Sequence, residues 1–353
     1  MLFYLKKIDD NVNENLLEIL KIVSPGSPLR VAIDDVAKSG TGALIVFGDS
    51  PEMMRIINGG FEVNCKFTSQ RLVELCKMDG AVVVDSDIKK ILYANTLLVP
   101  DPSIPTFETG TRHKAAERTA KQIKQLVIAI SEKKKVITLY YGDTKYVIRE
   151  TKEILDRAAD TLRMLEKHKE IFTELLLNMN VLEFTGLVSM QDIIMLLQRS
   201  EIIDRMAAII KRYILELGTE GGLVKLQLKE LLKGVGEEEL FIIKDYSKRD
   251  MISIKNALLF LSMEEIIESE KIMGALGFQT NDEQVVTRGH RIMKRTSLSE
   301  QEMEELIRKF GNFQSILEAK EEQLEQVLNK DKAKRLKKEL AQLKEQVMLG
   351  KKI

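Results

Sequence analysis

The chain has 353 residues, with 54 basic and 54 acidic side chains giving a formal net charge of zero, and 44% of its residues are hydrophobic. That length exceeds what one core serves, so several domains are expected. No apolar run reaches the roughly 20 residues of a membrane span, and Met1–Lys7 lacks the basic, apolar, small-residue order of a signal peptide, so a cytoplasmic protein without a membrane partner is expected.

From Leu44 to Ile148 short β-rich runs alternate with helical stretches. Strands are expected at Ala43–Phe47, Ala81–Val84, Lys90–Leu92, Leu126–Ile130, Val136–Tyr140 and Lys145–Ile148, with a hairpin turn at Gly142-Asp143. A helix over Arg71–Met78 ends in Asp79-Gly80, directly before a strand. Asp-Gly is ordinarily a turn, but here it also leaves a lone carboxylate at the mouth of a buried strand, beside a glycine that permits close approach. Cys65 and Cys76 stand away from any partner histidine and read as small apolar residues in a reducing compartment. Neither a Gly-x-Gly-x-x-Gly nor a Walker-type loop occurs, so no Rossmann or P-loop nucleotide site is indicated.

The most informative segment is Glu108–Arg118, which places Arg112, His113 and Lys114 on the first turn of a helix. A helix N-terminus carries partial positive charge and unpaired N–H groups, so cations there cost stability unless an anion joins them. Two readings fit the segment alone: a solvated basic turn, or a phosphate site closed by Arg and Lys. A carboxylate upstream of a phosphate cradle is what metal-assisted phosphoryl chemistry needs.

Asp79-Gly80-Ala81 followed by Arg112-His113-Lys114 resembles the Asp-Gly-Ala and Arg-His-Arg motifs of the diadenylate cyclase domain family. The stretches Thr41–Asp49 and Asn58–Phe61 resemble that family too. The resemblance implies condensation of two ATP molecules into cyclic di-AMP and two pyrophosphates, with Mg²⁺ or Mn²⁺ as cofactor. It also implies a face-to-face pair of domains within a homo-oligomer, an octamer. Asp79, Arg112 and His113 are then the catalytic residues, and Asp79 and His113 the metal ligands. Gly80, Ala81, Leu98, Thr111, Arg112, His113, Lys114, Ser131 and Lys134 are the nucleotide-binding set. Lys114 replaces the family's second arginine, keeping the charge but losing the planar fork, so weaker nucleotide affinity is expected. Leu98 also reads as simple core, and Glu132–Lys135 as a solvated turn.

Beyond Thr151 the strand signal disappears, and Ile154–Leu177 and Ile202–Leu217 carry apolar residues at helical spacing. His168 and His290 show no ligand spacing and read as surface or packing histidines. A capping box at Ser299–Glu302 opens a third zone, with helices expected at Met303–Phe310, Phe313–Leu317 and Glu321–Val327. In the family this zone is a helix-hairpin-helix module that grips DNA. Where the family hairpin reads Gly-hydrophobic-Gly, Val327–Ala333 contains no glycine, leaving Asn329 or Asp331 to take a left-handed turn. The basic run holding Lys330, Lys332, Lys334 and Arg335 fits either branched-DNA binding by charge or a solvated helix.

The expected fold is therefore α+β and multi-domain. A mixed α/β cyclase domain (1–150) precedes an all-α spacer and oligomerisation domain (151–290) and a small helix-hairpin-helix-like module with a basic tail (291–353). A nucleotide-binding scaffold or a DNA sensor with little turnover stands as the alternative function.

Overall fold

A computed structural model of the chain describes residues 14–280, 283 and 285–351; the segment Met1–Lys7 lies outside them. The described residues form two compact units, one running through Ala159 and including Ile210–Lys225, the other comprising Asp160–Ile209 and the residues from Leu226 onward.

The first unit is built on an eight-stranded mixed sheet. Its strands are β1 (Ala43–Phe47), β2 (Ile57–Asn58), β3 (Phe61–Lys66), β4 (Ala81–Val84), β5 (Lys90–Leu98), β6 (Leu126–Ile130), β7 (Ile137–Tyr141) and β8 (Thr144–Val147). They lie in the order β2-β5-β4-β1-β6-β7-β8, with β3 also paired to β5. β1 and β4 run parallel, with Leu44 opposite Ala81, while β1 and β6 run antiparallel, with Ala43 opposite Ile130. These three central strands are continuous runs of mostly β-branched residues, buried at every position, because helices cover both faces.

The first-unit helices are α1 (Glu14–Ile22), α2 (Pro28–Ser39), α3 (Pro51–Ile56), α4 (Ser69–Leu75) and α5 (Thr111–Ile123). Ala116, Ala120 and Ile123 of α5 join Leu44, Val46, Val83, Val127 and Ala129 in one core. Small alanines on α5 let the helix lie close to the sheet. Its C-terminus is set by Lys124 in the left-handed region, and the strand β6 begins two residues later.

β5 runs six residues beyond the expected Lys90–Leu92, and β3 has no counterpart among the expected strands. Asn95 sits at φ 53° and the β4–β5 register shifts twice, so a bulge breaks the alternation that marks a strand. β3 is an edge strand carrying Glu62, Asn64 and Lys66, with no buried residue to reveal it.

Residues from far along the chain complete this unit. Tyr146 donates to Glu216 Oε2 at 2.6 Å, Arg212 holds the other oxygen at 2.9 Å, and Thr219 donates to the Pro25 carbonyl. The guanidinium of Arg212 lies 5.8 Å from the Tyr146 ring centroid.

Beyond β8 the described residues are helical. The long helices are α6 (Thr151–Thr185) and α7 (Met190–Leu217), followed by α8 (Gly222–Leu231), α9 (Val235–Tyr246), α10 (Met251–Phe260), α11 (Met263–Ile267), α12 (Ser269–Leu276) and α13 (His290–Met293). In the second unit the buried Arg291 pairs with buried Glu183 and donates to Asn180, while Tyr246 donates to Glu183. His290, read from sequence as a surface or packing histidine without ligand spacing, is buried, with Asp245 on Nδ1 at 2.8 Å and Glu304 on Nε2 at 3.2 Å. Sequence spacing could not show this, because the two acids stand 45 residues before and 14 residues after it. No group of three His, Cys, Asp or Glu side chains able to hold a metal occurs among the described residues.

The C-terminal helices are α14 (Glu300–Phe310), α15 (Phe313–Glu318), α16 (Glu321–Leu324) and α17 (Lys330–Met348). The Ser299–Glu302 capping box is formed, and Phe184, Met303, Leu306, Phe313, Ile316, Leu324 and Leu336 share one core. Neither Asn329 nor Asp331 is left-handed. Asn329 is extended at φ −70° and caps α17, accepting from Lys332 N at 2.8 Å, so the turn needs no positive φ.

Candidate active site

The N-terminus of α5 has Gly110 as N-cap, so no side chain caps it. The first intrahelical bond runs from Lys114 N to Gly110 O at 2.8 Å. The amides of Thr111, Arg112 and His113 are left without a partner among the described residues, and no acidic residue stands in that first turn.

Arg112 folds its guanidinium over Gly42, immediately before β1. A Cβ placed on Gly42 would fall 2.0 Å from Arg112 Nη1 and 2.7 Å from Cζ, so only glycine leaves room for this arginine. The guanidinium is half-buried and makes no hydrogen bond or ion pair to any described residue.

His113 is held from the β7–β8 hairpin. The two-residue turn Gly142-Asp143 sets Tyr140 opposite Lys145. Tyr140 OH lies 3.0 Å from His113 Nδ1 and donates to Glu108 Oε1 at 2.9 Å, and Lys145 pairs with the same oxygen. Burial alone would raise the Glu108 carboxyl, but Lys145 and Tyr140 outweigh it and hold it below the usual carboxylate value. Burial, with Glu108 beside it, pushes the Tyr140 phenol well up. Burial also lowers His113; Glu108 opposes that shift, and Lys145, Arg112 and Lys134 add to it.

These groups open onto a cavity of about 680 Å³ lined by the 108–113 segment, the 131–134 turn and the inner faces of β7 and β8. Thr111, Arg112, His113, Ser131 and Lys134 of the expected set all line it. Ser131 Oγ accepts from Lys134 N at 3.3 Å, so the segment 131–134 is both a turn and a cavity wall. The loop leading into α5 is pinned by Thr106 donating to Glu117, Arg118 donating to the Ile104 carbonyl and Lys121 donating to the Pro105 carbonyl.

Asp79, Gly80, Ala81, Leu98 and Lys114 do not line this cavity. Asp79 stands two residues before Ala81 as Gly42 stands two before Leu44, and Ser131 follows Ile130 on the other side of β1. Topology therefore brings Asp79, the Arg112 seat and Ser131 to one end of the sheet. Asp79 is exposed, with no hydrogen bond or ion pair among the described residues. The close approach that Gly80 permits on its Cβ side is with the chain itself: at φ 88°, a Cβ would lie 2.7 Å from the Thr96 carbonyl oxygen of β5. Ala81 is core, and Leu98 is 7% exposed in the core cluster that holds Met53 and Ile56.

Gly42, Glu108, Tyr140 and Lys145 carry no role from sequence reasoning. The hairpin spacing was the available signal for Tyr140 and Lys145, since a two-residue turn after Tyr141 dictates their pairing. Nothing local could link Gly42 to an arginine 70 positions away.

In the C-terminal zone, Lys332 pairs with Glu302 and Arg335 with Glu339, whereas Lys330 and Lys334 have no partner among the described residues. Lys334 and Arg335 line an open groove with Asp331, Lys337 and Lys338.

An uncapped helix N-terminus, an arginine seated on Gly42 and lysines around one cavity thus lie together at one end of a mixed α/β sheet, an arrangement with the charge to receive an anion. Residues 30–145 match the family model described as DisA bacterial checkpoint controller nucleotide-binding, and residues 148–285 that described as the DisA bacterial checkpoint controller linker region. The chain is 40% identical over 347 residues to the DNA integrity scanning protein DisA of Clostridium botulinum (strain Loch Maree), covering 96% of this chain and 98% of that protein. It is 44% identical over 328 residues to DisA of Acetivibrio thermocellus, covering 91% of each. A solved structure of a double mutant of DacA from Staphylococcus aureus matches 42% of this chain and 97% of that one, at 22% identity and a TM-score of 0.30. The chain belongs to the DisA family, and its enzyme class is diadenylate cyclase.

Proposed function

We propose that the chain joins two ATP molecules into cyclic di-AMP across a face-to-face pair of its first units, each cavity holding one triphosphate. The observation that carries this reading is the placement of Arg112 and Asp79. The free guanidinium and three free amides of α5 serve an anion, while the free carboxylate stands at the same end of the sheet but outside the cavity. A two-fold pair presents Asp79 of one protomer to the nucleotide held by the other, which makes the reaction between the two nucleotides effectively intramolecular.

In this scheme each 3′-oxygen attacks the α-phosphorus of the opposite nucleotide, the P–O bond to pyrophosphate breaks, and the hydroxyl proton leaves toward Asp79 or water. Thr111, Arg112, Ser131 and Lys134 hold the phosphates, and His113 lines the same cavity. Lys114, like Asp79 outside its own chain's cavity, serves the partner's nucleotide.

A divalent ion fits the donor set as Mg²⁺ or Mn²⁺ held by Asp79, phosphate oxygens and water, with His113 as a further ligand, since such ions need few protein carboxylates. When bound it would neutralise charge developing on the phosphates.

The division of the chain near residues 150 and 290 is part of this reading, supported by the bounds of the two family models, and so are a cytoplasmic location and an octamer, which those bounds do not address. So is contact of Lys330, Lys332, Lys334 and Arg335 with branched DNA, made by charge and without hairpin glycines.

The test mixes two inactive proteins, Asp79→Asn and Arg112→Ala, with ATP and Mg²⁺ or Mn²⁺. A hybrid pair has one intact composite site, so it forms one of the two bonds and accumulates the linear dinucleotide. If the mixture forms no bond at all while wild type makes cyclic di-AMP, Asp79 and Arg112 act within one chain.

A further inference from the structure

We propose that Glu108 and Tyr140 are positioning residues that fix the proton of His113 on Nδ1 and leave Nε2 as a lone-pair nitrogen. The inference concerns the site described above and rests on its reading as the cyclase centre only where turnover is used as a readout.

The direction of the protons follows from counting donors. Glu108 is ion-paired with Lys145 and is therefore a carboxylate, which only accepts. A phenol has one proton, and at neutral pH it keeps it. Tyr140 gives that proton to Glu108 Oε1 at 2.9 Å, so toward His113 it offers only a lone pair. The 3.0 Å contact with His113 Nδ1 must then be donated by the imidazole. Nδ1 carries the hydrogen, and in the neutral ring Nε2 carries none. Nε2 has no partner among the described residues.

The tyrosine is well suited to hold this arrangement. It is 1% exposed, its ring belongs to the core formed with α5, and it meets the imidazole edge-on at 6.2 Å between centroids. Its hydroxyl is the only part that reaches the polar side. The hairpin register that puts Lys145 opposite Tyr140 keeps the carboxylate charged where the tyrosine needs it. His168 provides an internal contrast: Arg199 Nη1, a donor only, lies 2.6 Å from its Nδ1, so that ring carries its proton on Nε2.

The experiment is a magic-angle-spinning ¹⁵N spectrum of the full chain with ¹⁵N-labelled histidine, recorded at one neutral pH without nucleotide. The chain has three histidines, and a His113→Gln variant identifies the signal of interest. His113 is expected as the Nδ1–H tautomer. Tyr140→Phe, which removes only the hydroxyl, is expected to return it to mainly Nε2–H. Glu108→Ala frees the tyrosine proton to turn toward Nδ1 and gives the same reversal, whereas Glu108→Gln, which keeps an acceptor oxygen, retains the wild-type tautomer. In turnover, Tyr140→Phe is expected to lower kcat roughly 10–100-fold with KM for ATP within about threefold, because the loss lies in orientation rather than phosphate affinity. A wild-type His113 carrying its proton on Nε2, or a tautomer unchanged in Tyr140→Phe, overturns the inference. The spectrum is read without substrate, so a chain that made no cyclic di-AMP would refute the cyclase reading and leave this result standing.

Discussion

Gly42→Ala is the sharpest test of how the site is built. The backbone at Gly42 lies outside the left-handed region, so alanine is tolerated locally and the strand that follows is not strained. Its methyl would stand 2.0 Å from Arg112 Nη1, where ordinary contact begins at 3.4 Å, so the guanidinium must retreat by about 1.4 Å. A displacement of that size in a group that orients a reacting phosphate costs about 10²-fold in rate, or ~2.7 kcal/mol of transition-state stabilisation. The expected result is a hundredfold fall in kcat/KM for cyclic di-AMP formation, followed by chromatography, with Tm within about 2 °C of wild type. On an Arg112→Ala background the same change is expected to add nothing, since the group it displaces is gone. A kcat/KM within threefold of wild type would refute the argument that Arg112 works from its seat on Gly42.

Other substitutions separate stability from chemistry. Gly80→Ala places a methyl 2.7 Å from the Thr96 carbonyl at a positive φ, and about 1–3 kcal/mol of stability is expected to be lost in chemical denaturation. Leu98→Ala removes a core side chain and is expected to cost about 2–5 kcal/mol while leaving KM for ATP unchanged; a large KM effect would return Leu98 to the nucleotide. Glu239 is buried, and its carboxyl is pushed up from 4.5 to about 7 by burial, with Asp204 and Glu201 adding and Lys255 opposing. Its folded value exceeds its unfolded one, so stability is full below about pH 4.5 and falls as pH rises to about 7, by ~3 kcal/mol. Glu239→Gln is expected to flatten that slope and raise Tm at pH 7.5, and a steeper or unchanged slope would show that Lys255 dominates. Lys114→Arg restores a planar fork and is expected to lower KM for ATP without changing Tm.

Much of the fold was legible because its central strands are uninterrupted apolar runs. Ala43–Phe47, Ala81–Val84 and Leu126–Ile130 stand at the limits expected, since burial on both faces demands apolar residues throughout. Where burial is partial the signal weakened: β3 shows mixed polar residues, and β5 hides behind Asn95. The start of the candidate site was legible for the opposite reason, since Arg112 and His113 violate the electrostatics of an isolated helix. Tyr140 carried no such mark, because a tyrosine in a strand is ordinary until its hydroxyl partner is known. Leu98 fitted a pocket wall but more often a core, and the structure places it in the core cluster with Met53 and Ile56.

The discontinuity of the first unit has a consequence in time. Glu216 and Thr219 reach back to Tyr146 and Pro25, yet they are made more than 50 residues after Ala159. At typical rates of synthesis that interval is on the order of 3–10 s. During it the sheet exists without its last helical piece, and Tyr146 has neither its acceptor nor the arginine beside its ring. A nascent chain paused before residue 210 therefore displays an incomplete first unit, a state that no finished molecule shows.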